Sequence, residues 1–261
     1  MLKKYVFTLF VFVILGLTLF CRAGSPERDT DRESHFSAEA YIQNVYHQLD
    51  FGTEAMLSYQ AFREGLYGYL TLQEAGKLSV DALLTICDFS LSSKLKRLWV
   101  IDLLHQKICF HTLVAHGMRS GEEFALSFSN RASSHQSSLG FYVTGEMYQG
   151  AHGASLKLIG LDSSFNDKAS ERSIVMHGAS YVSEAFASSN HYLGRSHGCP
   201  AIPVDIASTL IPCIQGGQCL FIYYPLAAYE SQSVWLAKPI LQLANWVSNR
   251  NLSTKLTSAD R

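Results

Sequence analysis

In the stretch Gly194-Arg195-Ser196-His197-Gly198-Cys199-Pro200, a cysteine directly follows a glycine and lies two positions after a histidine. A thiol attacks as its thiolate, and a nearby imidazole with converging backbone N–H groups is the usual means of lowering its pKa. Gly198 has no Cβ, so the backbone there can approach a reacting carbonyl closely. The N–H groups of Gly198 and Cys199 are placed by sequence to receive an oxyanion, an interaction worth about 3 kcal/mol per donor. A second histidine, His177, ends the apolar run Ser173-Ile174-Val175-Met176 and is read as the close of a buried strand. The expected chemistry is acyl transfer, with Cys199 as nucleophile and His177 taking the thiol proton or holding the thiolate as an ion pair. The plainer alternative is a buried structural cysteine. Against it stands the setting of Cys199, between glycine and proline in a loop without periodicity.

The same residues permit a rival reading as a metal site, because His177, His191, His197 and Cys199 are all zinc-compatible. Paired ligand spacings such as HExxH or CxxC are missing from the sequence, so neither a metal nor another cofactor is expected. His152, in Gly150-Ala151-His152-Gly153, either lines a substrate groove together with Tyr142 or satisfies a turn. Arg195 either clamps a substrate carboxylate in the bidentate manner that suits arginine or makes a structural pair. His105, His111 and His116 fall in or beside strand-like runs and are read as structural.

Taken together, His177-Gly178 and Ser196-His197-Gly198-Cys199 resemble the signature of the YkuD-type L,D-transpeptidase catalytic domain. The resemblance extends over Ser137 to Gly145, Gly150 to Leu156 and Arg172 to Ala179, points to the murein L,D-transpeptidase subfamily, and covers about residues 98–224. It implies a mainly β catalytic fold and an acyl-enzyme on Cys199. It also implies orienting roles for the backbone of Gly178, Ser196, His197 and Gly198, with His197 acting through its backbone and a supporting hydrogen bond. The implied substrate is the peptidoglycan stem peptide, cleaved between a diamino acid's L-centre and a terminal D-alanine. An amine acceptor would give a cross-link and water a trimmed peptide, so an L,D-carboxypeptidase, and from another class a non-catalytic wall-binding protein, remain open.

The elements that must position these residues follow from patterning. Residues 1–23 read as a secretory signal: Lys3 and Lys4 precede an uncharged apolar run to Phe20, with small residues toward Ala23. Cleavage after Ala23 is expected; retention would leave a membrane tether, and bulky Phe20 argues against acylation of Cys21. An exported protein of the periplasm or cell envelope follows. Residues 24–37 read as a flexible tether. Residues 38–76 carry two helical patterns that pack on a catalytic domain at 77–226, and 227–261 form a helical tail bent at Pro239.

Within 77–226, eight short apolar or alternating runs read as strands, at 83–89, 97–104, 108–115, 124–128, 141–144, 155–161, 173–177 and 218–224. They suggest a mainly antiparallel sandwich or barrel. Residues 204–211 are the one helical candidate among them. The apolar fraction of 48% supports a sizeable core, and the formal net charge of −1 offers no field for nucleic acid. Of six cysteines, Cys21 leaves with the signal. Cys213 with Cys219, and Cys87 with Cys109, are either disulfide pairs or small buried side chains; Cys199 is the odd one.

Overall fold

The computed structural model describes residues 27–151 and 153–237, with side chains from residue 38 onward. The expected signal at 1–23, the tail beyond 237 and His152 lie outside the described residues. Among the described residues no helix is long and apolar enough to cross a membrane.

Two helices precede the sheet. α1 (Glu27–Gln48) begins within the stretch expected as a tether, and Gly52, at φ +54°, sits in the turn that follows it. α1 buries Ile42 and Val45 and sets the Tyr46 ring edge-on to Tyr59 and tilted against Phe62 of the next helix. α2 (Tyr59–Glu74) starts where the Ser58 hydroxyl accepts the Ala61 N–H at 3.3 Å, which satisfies one of the unpaired donors of a helix start. Its apolar stripe lies on the sheet at very close range because two glycines face it. A Cβ on Gly65 would stand 2.6 Å from Ile86 Cδ1, and one on Gly68 would stand 2.0 Å from Phe141 Cζ.

The eight strands are β1 (Leu84–Asp88), β2 (Leu98–Asp102), β3 (Lys107–Thr112), β4 (Gly140–Gly150), β5 (Gly153–Gly160), β6 (Val175–Gly178), β7 (Ala201–Ile202) and β8 (Cys219–Tyr223). They form one mixed sheet in the order β3-β2-β1-β8-β4-β5-β6-β7. Most neighbours run antiparallel, as the short alternating runs suggested, but β1 with β8 and β6 with β7 are parallel. Beyond β3 the chain continues to Ala115, which bridges Ala201 of β7 with N–H···O bonds of 2.8 and 3.3 Å. The two edges of the sheet therefore meet, and the sheet is nearly closed into a barrel. Closure removes the exposed edges that would otherwise template aggregation.

Three helices and one further turn complete the architecture. α3 (Glu184–Asn190) is capped by Ser183, and α4 (Val204–Cys213) packs on β5 and β6 directly after the Cys199 loop. α5 (Ala227–Gln232) packs on α6 (Val234–Ala237), which returns against α2. The buried Asp162 carboxylate tethers them: it accepts from Ser233 Oγ at 2.6 Å and Tyr229 OH at 3.1 Å, and from the Phe141 N–H at 2.7 Å.

Several expectations are corrected. Residues 124–128 are not a strand; Ala125 makes one bridge to Gly121, and the N–H groups of Leu126 and Ser127 both go to Ser120 O, closing a turn. Neither cysteine pair is bonded, and all five described cysteines are free. Cys87 and Cys109 sit on β1 and β3, which β2 separates, while Cys219 is buried in β8 and Cys213 is exposed at the end of α4.

Candidate active site

The Cys199 loop is held between the two edges of the sheet. On one side Ser196 N–H donates to His116 O at 3.0 Å, and Met118 N–H donates to Ser196 O at 2.7 Å. On the other, β7 pairs in parallel with β6, in register His177 with Ala201 and Gly178 with Ile202. Between these anchors Ser196 folds the loop on itself. Its hydroxyl donates to Cys199 O at 2.6 Å and accepts the Gly198 N–H at 3.0 Å. The side chain of Ser196, expected to serve through its backbone alone, is thus what shapes the turn.

Gly198 is required twice over. Its φ of +124° is a conformation L side chains rarely adopt, and a Cβ would stand 2.7 Å from Gln136 O, 3.1 Å from Ile174 Cδ1 and 3.2 Å from Arg172 Nη2. Gly117 crosses behind it, where a Cβ would lie 2.9 Å from Gly198 Cα. Because the Gly198 N–H is already bonded to Ser196, it is not the free oxyanion donor that the sequence suggested. The Cys199 N–H bonds to no other described residue and is the remaining candidate.

The Cys199 thiol is half-buried and reduced. Its sulfur accepts the Val175 N–H at 3.5 Å and lies 3.9 Å from Ser173 O. Val175 and His177 are two apart on β6 and so point to the same side of the strand, about 6–7 Å from one another along it. The ring of His177 is almost wholly buried, and its Nδ1 lies 3.0 Å from Gly178 O. A carbonyl can only accept, so Nδ1 carries the hydrogen and Nε2 is left as the basic nitrogen. Gly178 supplies that carbonyl while fitting closely under α4, where a Cβ would meet Ala207 Cβ at 3.0 Å.

The thiol is not poised as a thiolate. Burial pushes its pKa above the ordinary value, and this outweighs the Val175 N–H and the Arg172 charge, both of which favour ionisation. Ionisation at the moment of attack would then call for a base.

Other predicted site residues divide sharply. Tyr142 is fully buried, with its hydroxyl on Ser138 O at 3.0 Å, so it belongs to the core and lines no groove. The Arg195 guanidinium donates to Gly121 O at 3.0 Å and lies 5.3 Å over the Tyr192 ring. It borders a hollow of about 280 Å³ shared with Met118, Phe186 and Asn190. The exposed His197 ring stacks on His135 at 4.4 Å, and no hydrogen bond of that ring to a described residue accompanies the stack. Among the described residues no group of three or more His, Cys, Asp or Glu is placed to hold a metal ion. The other histidines read as structural bond carboxylates: His105, in the turn after β2, meets Asp102 at 2.7 Å, and His111, on β3, meets Glu54 at 2.6 Å.

Two supporting groups escaped sequence reading. Arg97 is fully buried over the Phe89 ring and bonds Val114 O, Leu91 O and, at 2.7 Å, His116 Nδ1. Burial and that guanidinium hold His116 neutral, with its pKa lowered to about 3, so its ring accepts from Arg97 while its carbonyl holds Ser196. Arg172 grips the loop over residues 129–138, bonding Ser129 O at 2.7 Å, Gln136 O at 2.7 Å, Ser134 Oγ at 3.1 Å and also Ser138 Oγ. A second hollow, of about 260 Å³, lies between Tyr148, Lys157, Ile159, Ser170, Ser173 and Val175.

The loop before β7 thus carries a free thiol, and the adjoining strand β6 carries an imidazole oriented by Gly178 O. A family model described as the L,D-transpeptidase catalytic domain matches residues 53–223, and the chain belongs to that family. Solved structures similar to it include an L,D-transpeptidase in complex with imipenem, 13% identical over 55% of this chain and 59% of that one, TM-score 0.34. Another is the L,D-transpeptidase from Mycobacterium smegmatis, 10% identical over 55% and 59%, TM-score 0.34. A third, from Stackebrandtia nassauensis, is 13% identical over 70% and 91%, TM-score 0.34. The chain spans 59% of the length of the first two. No curated protein matches it.

Proposed function

We propose that the protein is an exported peptidoglycan L,D-transpeptidase that works through a thioester on Cys199. The observation that carries this reading is the placement of a free sulfur against Val175, two residues along β6 from His177, in a chain of the L,D-transpeptidase family. His177 Nε2 takes the thiol proton as sulfur attacks the stem-peptide carbonyl, and the Cys199 N–H receives the oxyanion. The same imidazolium then protonates the departing D-alanine amine as the C–N bond breaks. An acceptor amine, or water, attacks the thioester, passes its proton to His177 and frees the thiol. The hollow of about 260 Å³ borders Ser173 and Val175, whose backbone carbonyl and N–H meet the sulfur, and would receive the donor peptide.

Incubation of the purified protein with tetrapeptide muropeptides, followed by mass spectrometry, tests this. Cross-linked dimers are the expected product, tripeptides alone would mean a carboxypeptidase, and neither product would overturn the enzyme reading. Cys199→Ala is expected to abolish both products and any covalent carbapenem adduct, while a wall-binding role would survive that change.

A further inference from the structure

The thiol meets conflicting influences, since burial disfavours its ionisation while chemistry requires it. The charged and titratable groups around it are few. Tyr181, whose phenol is pushed up to about 12 chiefly by burial, offers no charge to offset this, and His177 lies along β6. The cation is Arg172, which forms no ion pair with any described carboxylate and interacts electrostatically with the sulfur.

Its geometry is that of a brace. Four hydrogen bonds from one guanidinium gather Ser129, Ser134, Gln136 and Ser138, which fixes residues 129–138 as a wall. That wall abuts the Cys199 loop. Gln136 O faces the bare Cα of Gly198, and the Ser137 hydroxyl donates to Gly198 O at 3.3 Å while accepting the Gly117 N–H at 3.0 Å. The guanidinium itself lies against Gly198, where a Cβ would be 3.2 Å from Nη2. Such an arrangement exceeds what a surface arginine needs.

We propose that Arg172 is a positioning residue for Cys199: it presses the 129–138 wall against Gly198, fixing the turn that carries the sulfur, and presents a permanent positive charge toward the thiolate that forms during attack. This deepens the transpeptidase reading, because it names the group that supports the nucleophile. It also stands apart from that reading in its test, which uses no substrate.

Alkylation of Cys199 by iodoacetamide, followed across pH by mass spectrometry of the peptide that bears it, reads the thiol directly. In a folded Arg172→Gln variant the midpoint of the pH–rate curve is expected to rise by about one unit, about tenfold slower alkylation at a fixed pH below it. Arg172→Lys is expected to keep most of the midpoint and lose several-fold in rate, since an ammonium cannot span four acceptors. An unchanged midpoint and rate in Arg172→Gln overturns the proposal. Should that variant fail to fold, the double change Ser134→Ala with Ser138→Ala decides. It leaves the charge and removes two partners, so a slower rate at an unchanged midpoint is expected, and a wild-type rate sinks the positioning role. Muropeptide turnover measured alongside keeps failure of this idea distinct from failure of the transpeptidase assignment.

Discussion

Gly198 carries the sharpest prediction at the scale of single residues. Alanine there must hold a positive φ and drive its methyl onto Gln136 O. The strained backbone alone costs about 1–3 kcal/mol. The loop is expected to move before the fold gives way, so Gly198→Ala should lose at least a hundredfold in Cys199 alkylation and turnover while its melting temperature falls by only a few degrees. Retention of alkylation would show that the turn need not be tight. At this scale Cys199 and His177 stand out in the sequence because residue type and neighbours suggest their chemistry, and the structure brings the sulfur against the strand that bears His177. Arg172 does not stand out, since its meaning lies in four acceptors scattered over residues 129–138. Tyr142 was misread because the start of β4 is buried on both faces, which leaves alternation unable to separate groove from core.

Among elements, the docking of α2 beneath α5 and α6 contains an ionisable weak point. Glu64 is buried with Oε2 unpaired, beside Glu230, and burial with that neighbour raises its pKa to about 7. A carboxyl whose folded pKa exceeds its unfolded one stabilises most when both states are protonated. That contribution is intact below about pH 4.5 and is lost as pH climbs through 7. Wild-type protein is therefore expected to lose stability from pH 5 to pH 8, and Glu64→Gln to lose less. The gap, read from urea midpoints, should reach on the order of 2–3 kcal/mol at pH 8. Equal pH slopes for the two proteins would refute this. The helices of this layer were readable from apolar spacing. The glycines that let α2 sit so low, Gly65 and Gly68, were not, since a glycine within a helix signals its purpose only when its neighbour is known. β7 was invisible for a different reason, because two residues cannot display a period.

Over the whole molecule, the sequence conveyed a mainly β body of short strands with helices before and after it. Strand order was beyond it, because parallel pairing of β1 with β8 joins segments more than a hundred residues apart and leaves no local trace. Nor could patterning reveal that the edges meet at Ala115 and Ala201, a contact made by two small residues.

A hoop fastened by the narrow Ala115–Ala201 bridge and the Ser196 bonds to His116 and Met118 is expected to open there first. Amide protons at Ala115 and Ala201 are expected to exchange with deuterium well ahead of those in β1 and β8, which have strand partners on both sides. Cys199 stands two positions from the fastening, so each opening would leave β7 on β6 but loosen the sulfur's loop from its anchors at His116 and Met118. Gentle heating should then reversibly speed the alkylation of Cys199 by iodoacetamide, several degrees before the circular-dichroism melt begins.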